Sequence, residues 1–390
     1  MSRPTEVASI GYESSDRREI GGRLVIGFPL AWRLLPLLLI VPLRAAGQDA
    51  TSQIRTEIRR VQQSLKNQPI TDPDTSNLAG AIEDQLKSAG EALDAGWEYL
   101  SLERLGQAVD LLHGARIVAE KKAEIVKGGL PAYEAEWRRA GTTLDEGERR
   151  AHGRDWGNAP AAVRALSETS QGRAVPLLDG GRGFAIATQP KDGLFYLGEA
   201  QGEAEFAQFC ASLRFAQKSN ATPRRSLLPE LQSLQEKTDA AFVPPRSIEQ
   251  HPRFIQLNSA LKLAQELDAS RFYSGALYQY LEAVRNYGML SAIPPDSKGQ
   301  TALKAAIAGT QKKLDASGQD DSIAQLFVER AASRLEHAGG SAPTVDELRS
   351  ARVIIDQVLP AYFAALQPAS PTQQAAGKTV DITLVRWPYT

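Results

Sequence analysis

A mainly α fold rich in helical hairpins, with a small two- or three-stranded β element, is what the sequence predicts, and three observations lead there. Along most of the 390 residues, apolar side chains recur at three- and four-residue spacing, the period of an amphipathic helix. Residues 257–290 set small and large apolar side chains in alternation through Leu263, Ala264, Leu267, Tyr273, Ala276, Tyr280 and Ala283, which describes two helices packed as a hairpin. LDAGWEYLSL at 93–102 aligns without a gap to LDASRFYSGA at 267–276, so a related hairpin is expected far upstream.

The first 47 residues read as a secretory signal peptide. A polar lead with Arg17, Arg18 and Arg23 precedes Arg33, the apolar run LLPLLLIVPL at 34–43, then Arg44 and the small residues Ala45 and Gly47. The run holds Pro36 and Pro42 and falls short of the roughly twenty apolar residues a membrane-spanning helix needs, so cleavage after Gly47 is expected, with a retained anchor as the alternative. The lead is long for such a peptide, which places the start of translation later than Met1, for example at Val25 or Leu30. No cysteine follows the run directly, which excludes a lipid anchor there.

Composition is that of an ordinary globular protein, 42% hydrophobic and 23% charged, and the length predicts two domains. The formal charge is −1 and becomes more acidic without the first 47 residues, which disfavours nucleic acid as a partner. Cys210 is the only cysteine, so no intramolecular disulfide and no cysteine-built zinc or iron–sulfur site can form.

From residue 48 the helices follow in order. Ile54, Ile58, Val61 and Leu65 make one stripe, and Leu78, Ile82, Leu86, Ala89 and Leu93 a second. A third runs from Glu98 through Val118, Pro131 opens a fourth, and Pro160 stands in the first turn of a shorter one, giving an N-terminal helical unit over 48–172. Residues 173–218 read as a strand and a long helix: Gly180, Gly181 and Gly183 predict a turn, FAIAT at 184–188 has strand composition, and Asp192 is placed to cap the helix that follows. A linker with one short helix spans 219–256. The C-terminal unit, 257–366, holds the hairpin and helices at about 299–316, 320–338 and 343–366, the last opened by Thr344 and Glu347 in capping-box spacing. A linker at 367–378 leads to a C-terminal strand, 379–390, which is expected to pair with 184–188 and with 174–178.

Chemistry is sparsely signalled. The glycines near 180 lack the lysine and hydroxyl residue of a phosphate-binding loop. Of four histidines, His113 stands three residues after Asp110 in the spacing of a helical metal pair, but no second such motif faces it; His337 sits at a helix end, and His152 and His251 lie beside loops. Acid pairs such as Glu98 with Glu103 and Glu203 with Glu205 read as solvated helix faces, and Cys210 as a buried thiol on an apolar stripe. No catalytic, cofactor-binding or metal residue is therefore assigned. Tyr278 and Tyr287, off the stripe that Tyr273 and Tyr280 occupy, are the candidates for a partner-binding face.

The small and large positions of 257–290 resemble those of a tetratricopeptide-repeat (TPR) hairpin, with Ala276 and Ala283 at the two small positions of its second helix and Tyr280 between them; Ala260 and Gly288 depart from that pattern. What the resemblance implies is a TPR-like scaffold that binds another protein. Together with the signal peptide it gives the functional expectation: a secreted or periplasmic interaction protein binding a polypeptide or envelope component. The alternatives are an envelope enzyme of hydrolase type with a cleft between helical units, and a structural subunit held to the membrane by its N-terminal segment.

Overall fold

Ile54, Ile58, Val61 and Leu65 are all buried along one side of α1, Gln48–Asn67, the stripe that their spacing requires. The computed structural model describes residues 48–152, 154, 156–215, 225–241, 250–290, 299–336 and 343–367, all within one compact unit, Arg44–Thr390. The signal-peptide segment 1–47, the linker beyond Gln367 and the C-terminal strand lie outside the described residues. None of the described helices is long and apolar enough to cross a membrane.

α2, Leu78–Asp94, buries Ile82, Leu86, Ala89 and Leu93. α3, Glu98–His152, is two helical segments joined at Gly129, whose φ of 64° only glycine adopts cheaply, with Pro131 two residues on. Its second segment packs with α4, Ala161–Ala187, and α5, Leu194–Ser212, around Tyr133, Leu144, Leu178, Leu194 and Leu197. The boundary expected between 172 and 173 falls inside α4.

The expected strands are corrected here: residues 174–178 and 184–187 belong to α4, with Thr188 as its C-cap, and no strand occurs among the described residues. Ala174, Leu178, Gly181 and Ala185 are buried at spacings of four, three and four, a helical stripe, whereas a half-buried strand would alternate. Of the three glycines, Gly181 serves close approach instead of a turn, while a Cβ on Gly180 or Gly183 would meet nothing within 4 Å. A Cβ on Gly193 would stand 2.4 Å from the carbonyl oxygen of Gly181, and the Tyr133 hydroxyl donates to the Gly193 carbonyl at 3.2 Å. Asp192, expected as a cap, forms a capping box with Gln189 over the 3-10 turn Pro190–Gly193 that leads into α5.

Beyond α6, Leu228–Ala241, come α7, His251–Ala269, and α8, Tyr273–Leu290, the hairpin expected from spacing, with Ala260, Ala264, Ala276 and Ala283 buried. α9, Gly299–Ala316, and α10, Ser322–Leu335, follow. Thr344 and Glu347 close the expected capping box on α11, Val345–Val353. α11 runs through a π turn, Ile354–Val358, into α12, Leu359–Leu366, because Pro360 brings no N–H to the ladder and the Leu359 N–H reaches back to the Ile354 carbonyl.

The two related hairpins close with the same backbone pattern. Ala95, Gly96 and Trp97 donate to the carbonyls of Glu91, Leu93 and Ala92, and Ser270, Arg271 and Phe272 donate to those of Glu266, Asp268 and Leu267. Gly96 and Arg271 carry the positive φ, 79° and 63°. This register is one residue beyond the gapless sequence alignment, so the aromatic side chains Trp97 and Phe272 are equivalent. Both second helices are also capped from far away. Glu329 of α10 accepts from the N–H of Leu100 at 2.9 Å, and Glu168 of α4 accepts from the N–H of Gly275 at 2.7 Å. Leu100 and Gly275 are each the third residue of their helix, and Glu168 and Glu329 each the eighth.

Each half of the chain thus supplies the glutamate that caps the other half's hairpin, the reciprocity expected of a twofold relation. The equivalent helices α4 and α10 meet at their starts, where Asp320 accepts from the Ala161 N–H at 2.7 Å and Ser322 from the Ala162 N–H at 2.9 Å. These carboxylates take the place of a local N-cap, satisfying donors that a helix start leaves open. Glu168→Ala is expected to cost about 1–3 kcal/mol by leaving the buried Gly275 N–H without an acceptor, measured as a drop in the urea midpoint at unchanged slope; a change below about 0.5 kcal/mol would show the cap to be dispensable.

Candidate functional site

Two clusters of buried charge lie where these helices meet. The first is built on Arg330 of α10. Its guanidinium donates to both oxygens of Glu103 on α3, with Nε at 2.7 Å, and also to Glu282 and to the Tyr278 hydroxyl on α8. Tyr278 donates in turn to Glu103 at 3.1 Å. Glu103 and Tyr278 are each the sixth residue of their helix, so equivalent positions of the two hairpins touch. The guanidinium carbon lies 4.9 Å from the centre of the Phe327 ring and 5.4 Å from that of Tyr278, both within cation–π range. Arg285 donates to the other oxygen of Glu282 at 3.0 Å.

Burial alone would raise the carboxyl pKa of Glu103 and of Glu282; Arg330 outweighs it, holding Glu103 below the usual range and Glu282 at about 2. Arg330 is correspondingly held charged, since its two carboxylates overcome the cost of burying it. Arg104 and Arg334 complete the group. Arg104 donates to the Gln107 amide oxygen at 3.3 Å, while its Nε is buried with no acceptor. Arg334 is pulled down to about 10, by burial first and then by the charges of Arg285, Arg104 and Arg330.

The second cluster is acidic and sits between α3, α4 and α5. Close approach creates it: a Cβ on Gly202 would stand 2.8 Å from the Asp110 Cα. Burial first, then the neighbouring Glu203, raises Asp110 well above the ordinary carboxylate range, and the same two causes raise Glu199 to about 7. Glu203 is raised by burial, partly offset by Arg173, whose guanidinium is 3.6 Å away, and by Ser170. Burial thus favours the protonated form of all three carboxyl groups, and Glu199, at about 7, can exchange its proton near neutral pH.

The sequence-assigned residues fall as follows. Tyr278 is 3% exposed and its hydroxyl is bonded inside the first cluster, so it does not line an open face; Tyr287 is half-buried against the core. Asp110 and His113, though three residues apart, engage different partners, His113 lying 3.0 Å from Glu205. The His113 hydrogen bond leads in lowering Glu205 to about 2 against the opposing effect of burial, with Arg60 adding to it. Glu203, read as solvated, is buried, and Glu103, read likewise, is half-buried, because long-range ion pairs invisible to local spacing hold them. Cys210 is buried, which pushes its thiol up and away from reactivity. His337 lies outside the described residues.

No group of three or more His, Cys, Asp or Glu among the described residues could hold a metal ion. A shallow cleft between α1, α3 and α5 is lined by Glu57, Leu105, Val109, Glu205, Phe206 and Phe209 and is too slight to enclose a ligand. No protein-family model, curated protein or solved structure matches the chain.

Proposed function

We propose that the protein is an exported α-helical scaffold of the cell envelope, built on TPR-like hairpins, that binds another protein or an envelope component. The observation that carries this reading is the use of Glu103, Glu168, Glu329 and Asp320, which fasten one helix to another across the two halves. Such an investment favours a rigid frame that presents surface. Val126 and Ile186, both more than half exposed on the bundle of α3, α4 and α5, supply apolar contact for a partner.

The test joins location to contact. Mass spectrometry of the native N-terminus after fractionation is expected to find a soluble form beginning near Gln48. Photo-crosslinking residues placed at Val126 and Ile186 then trap a specific partner, and one at the exposed Lys87 does not. An intact apolar run in the membrane fraction would favour the anchored structural subunit instead.

One observation favours the second reading, an envelope enzyme of hydrolase type: the proton-holding group Asp110, Glu199 and Glu203. Loss of a measured hydrolysis in Asp110→Asn, with the fold intact by circular dichroism, would establish it.

A further inference from the structure

The likeness of the two hairpins extends to the helices around them. α1 packs against α2 and α3 as α6 packs against α7 and α8, and the second segment of α3 precedes and packs on α4 as α9 precedes and packs on α10. α5 lies on α3 as α11 and the π turn lie on α8. A Cβ on Gly198 of α5 would stand 2.5 Å from the His113 carbonyl oxygen, and one on Gly288, the mate of His113 in the register of the turns, 2.5 Å from Oε1 of Gln357 in the π turn. In that register the buried Ile82, Leu86 and Ala89 match the buried Leu257, Leu261 and Ala264. The outer faces agree as well: Lys87 pairs with Glu91 at 3.9 Å where Lys262 pairs with Glu266 at 3.8 Å. Exposed pairs of this kind add little to stability, so packing gives no reason for the same one to stand at both places.

We propose that the chain is two copies of one six-helix unit joined in tandem, and that the surface on which its halves meet is self-complementary, one by which a single unit binds a second copy of itself. Contacts across a twofold interface come in exchanged pairs, residue with mate. The Glu329–Leu100 and Glu168–Gly275 caps are such a pair. Tyr278 donates to Glu103, its own mate, and a residue that touches its mate stands beside the axis. Arg330, the ninth residue of α10, fills the place next to them, while its mate, the ninth residue of α4, is Thr169, buried with an unpartnered hydroxyl. Glu282, the tenth residue of α8, has Gln107 as its mate in α3. A second arginine at Thr169 would bring two like charges to one axis, so the network exists in one of its two equivalent senses. None of this rests on the proposed scaffold role or on the surface at Val126 and Ile186.

The test moves the Arg330 network to its twofold mate in the full chain. Arg330→Thr alone is expected to lower the urea midpoint. Adding Thr169→Arg, Glu103→Tyr, Tyr278→Glu, Gln107→Glu and Glu282→Gln exchanges every member with its mate and leaves composition and net charge unchanged. This variant is expected to recover at least half of the loss, because the guanidinium at position 169 then meets carboxylates at 278 and 107. A midpoint no higher than that of Arg330→Thr overturns the inference. A second measurement carries the test if the exchanged chain does not fold. Spin labels are placed on Lys87→Cys with Gln325→Cys in one chain and on the mates, Lys262→Cys with Arg164→Cys, in another, Cys210 being buried and left unlabelled. Double electron–electron resonance is expected to give two mean distances that coincide within the width of either distribution. Two resolved, different distances overturn the twofold relation and the self-complementary surface with it.

Discussion

Replacing Arg330 with alanine is expected to destabilise the fold by about 3–5 kcal/mol, the usual consequence of removing one partner from a buried ion pair. The loss goes beyond its direct bonds. Glu103 and Glu282 would remain buried, facing each other without the cation that keeps them charged, and the Tyr278 hydroxyl would lose its neighbour. Both carboxyls would then take up protons more readily, so the defect should be smaller at pH 5 than at pH 8. Adding Glu103→Gln and Glu282→Gln to the alanine variant should recover much of the loss, since neutral amides tolerate burial better than unpaired carboxylates. Guanidinium denaturation followed by circular dichroism reads these differences. A cost under about 1 kcal/mol, typical of a surface ion pair, would mean that the network is solvated and holds nothing together.

Stability is also expected to fall as pH rises from about 5 to 8. Glu199 and Glu329 are raised from an ordinary 4.5 to about 7 and about 8, each chiefly by burial, and Asp110 and Glu203 shift in the same direction. A carboxyl whose pKa is higher in the folded state binds its proton more tightly there than in the unfolded chain. Its contribution is therefore fully present below the unfolded value and is lost as pH climbs through the folded one, on the order of 3–5 kcal/mol across the group. Glu282 and Glu205, both at about 2, work the other way and weaken the fold only under strong acid. A stability maximum near pH 4.5–5 is the result. Thermal midpoints measured from pH 4.5 to 8.5 should decline, and Glu329→Gln should flatten the upper part of the curve. Midpoints that rise over this range would refute the burial of these acids.

The helices were legible because their apolar stripes are local: three- and four-residue spacing places α1, α2, α7 and α8, and the Thr344–Glu347 box fixes the start of α11. Residues 171–188 misled because glycine serves two purposes that look alike in sequence. Gly181 reads as a turn former, yet it allows α4 to lie against Gly193, and the stripe of Ala174, Leu178, Gly181 and Ala185 was the sign that the helix continues. The second hairpin showed in LDAGWEYLSL, but its register shifts by one residue, because hydrogen bonding at the turn aligns Gly96 with Arg271 in spite of the matching letters. The charged clusters were not legible at all. Glu103 and Arg330 are joined across 227 residues, and nothing local distinguishes such a glutamate from a solvated one. One faint trace existed, the common spacing of Glu168 to Arg173 and Glu329 to Arg334, which marks α4 and α10 as equivalent.

The exchange of glutamates between the halves has a consequence for how the chain is made. When α3 leaves the ribosome, the residue that will close its first turn has yet to be synthesised, and the same helix start must wait through more than half of translation. α8, by contrast, emerges with Glu168 already available. Contacts this distant in sequence form late and slowly. The N-terminal half therefore spends its early life with an open helix end, and it becomes native only when α10 arrives to complete it.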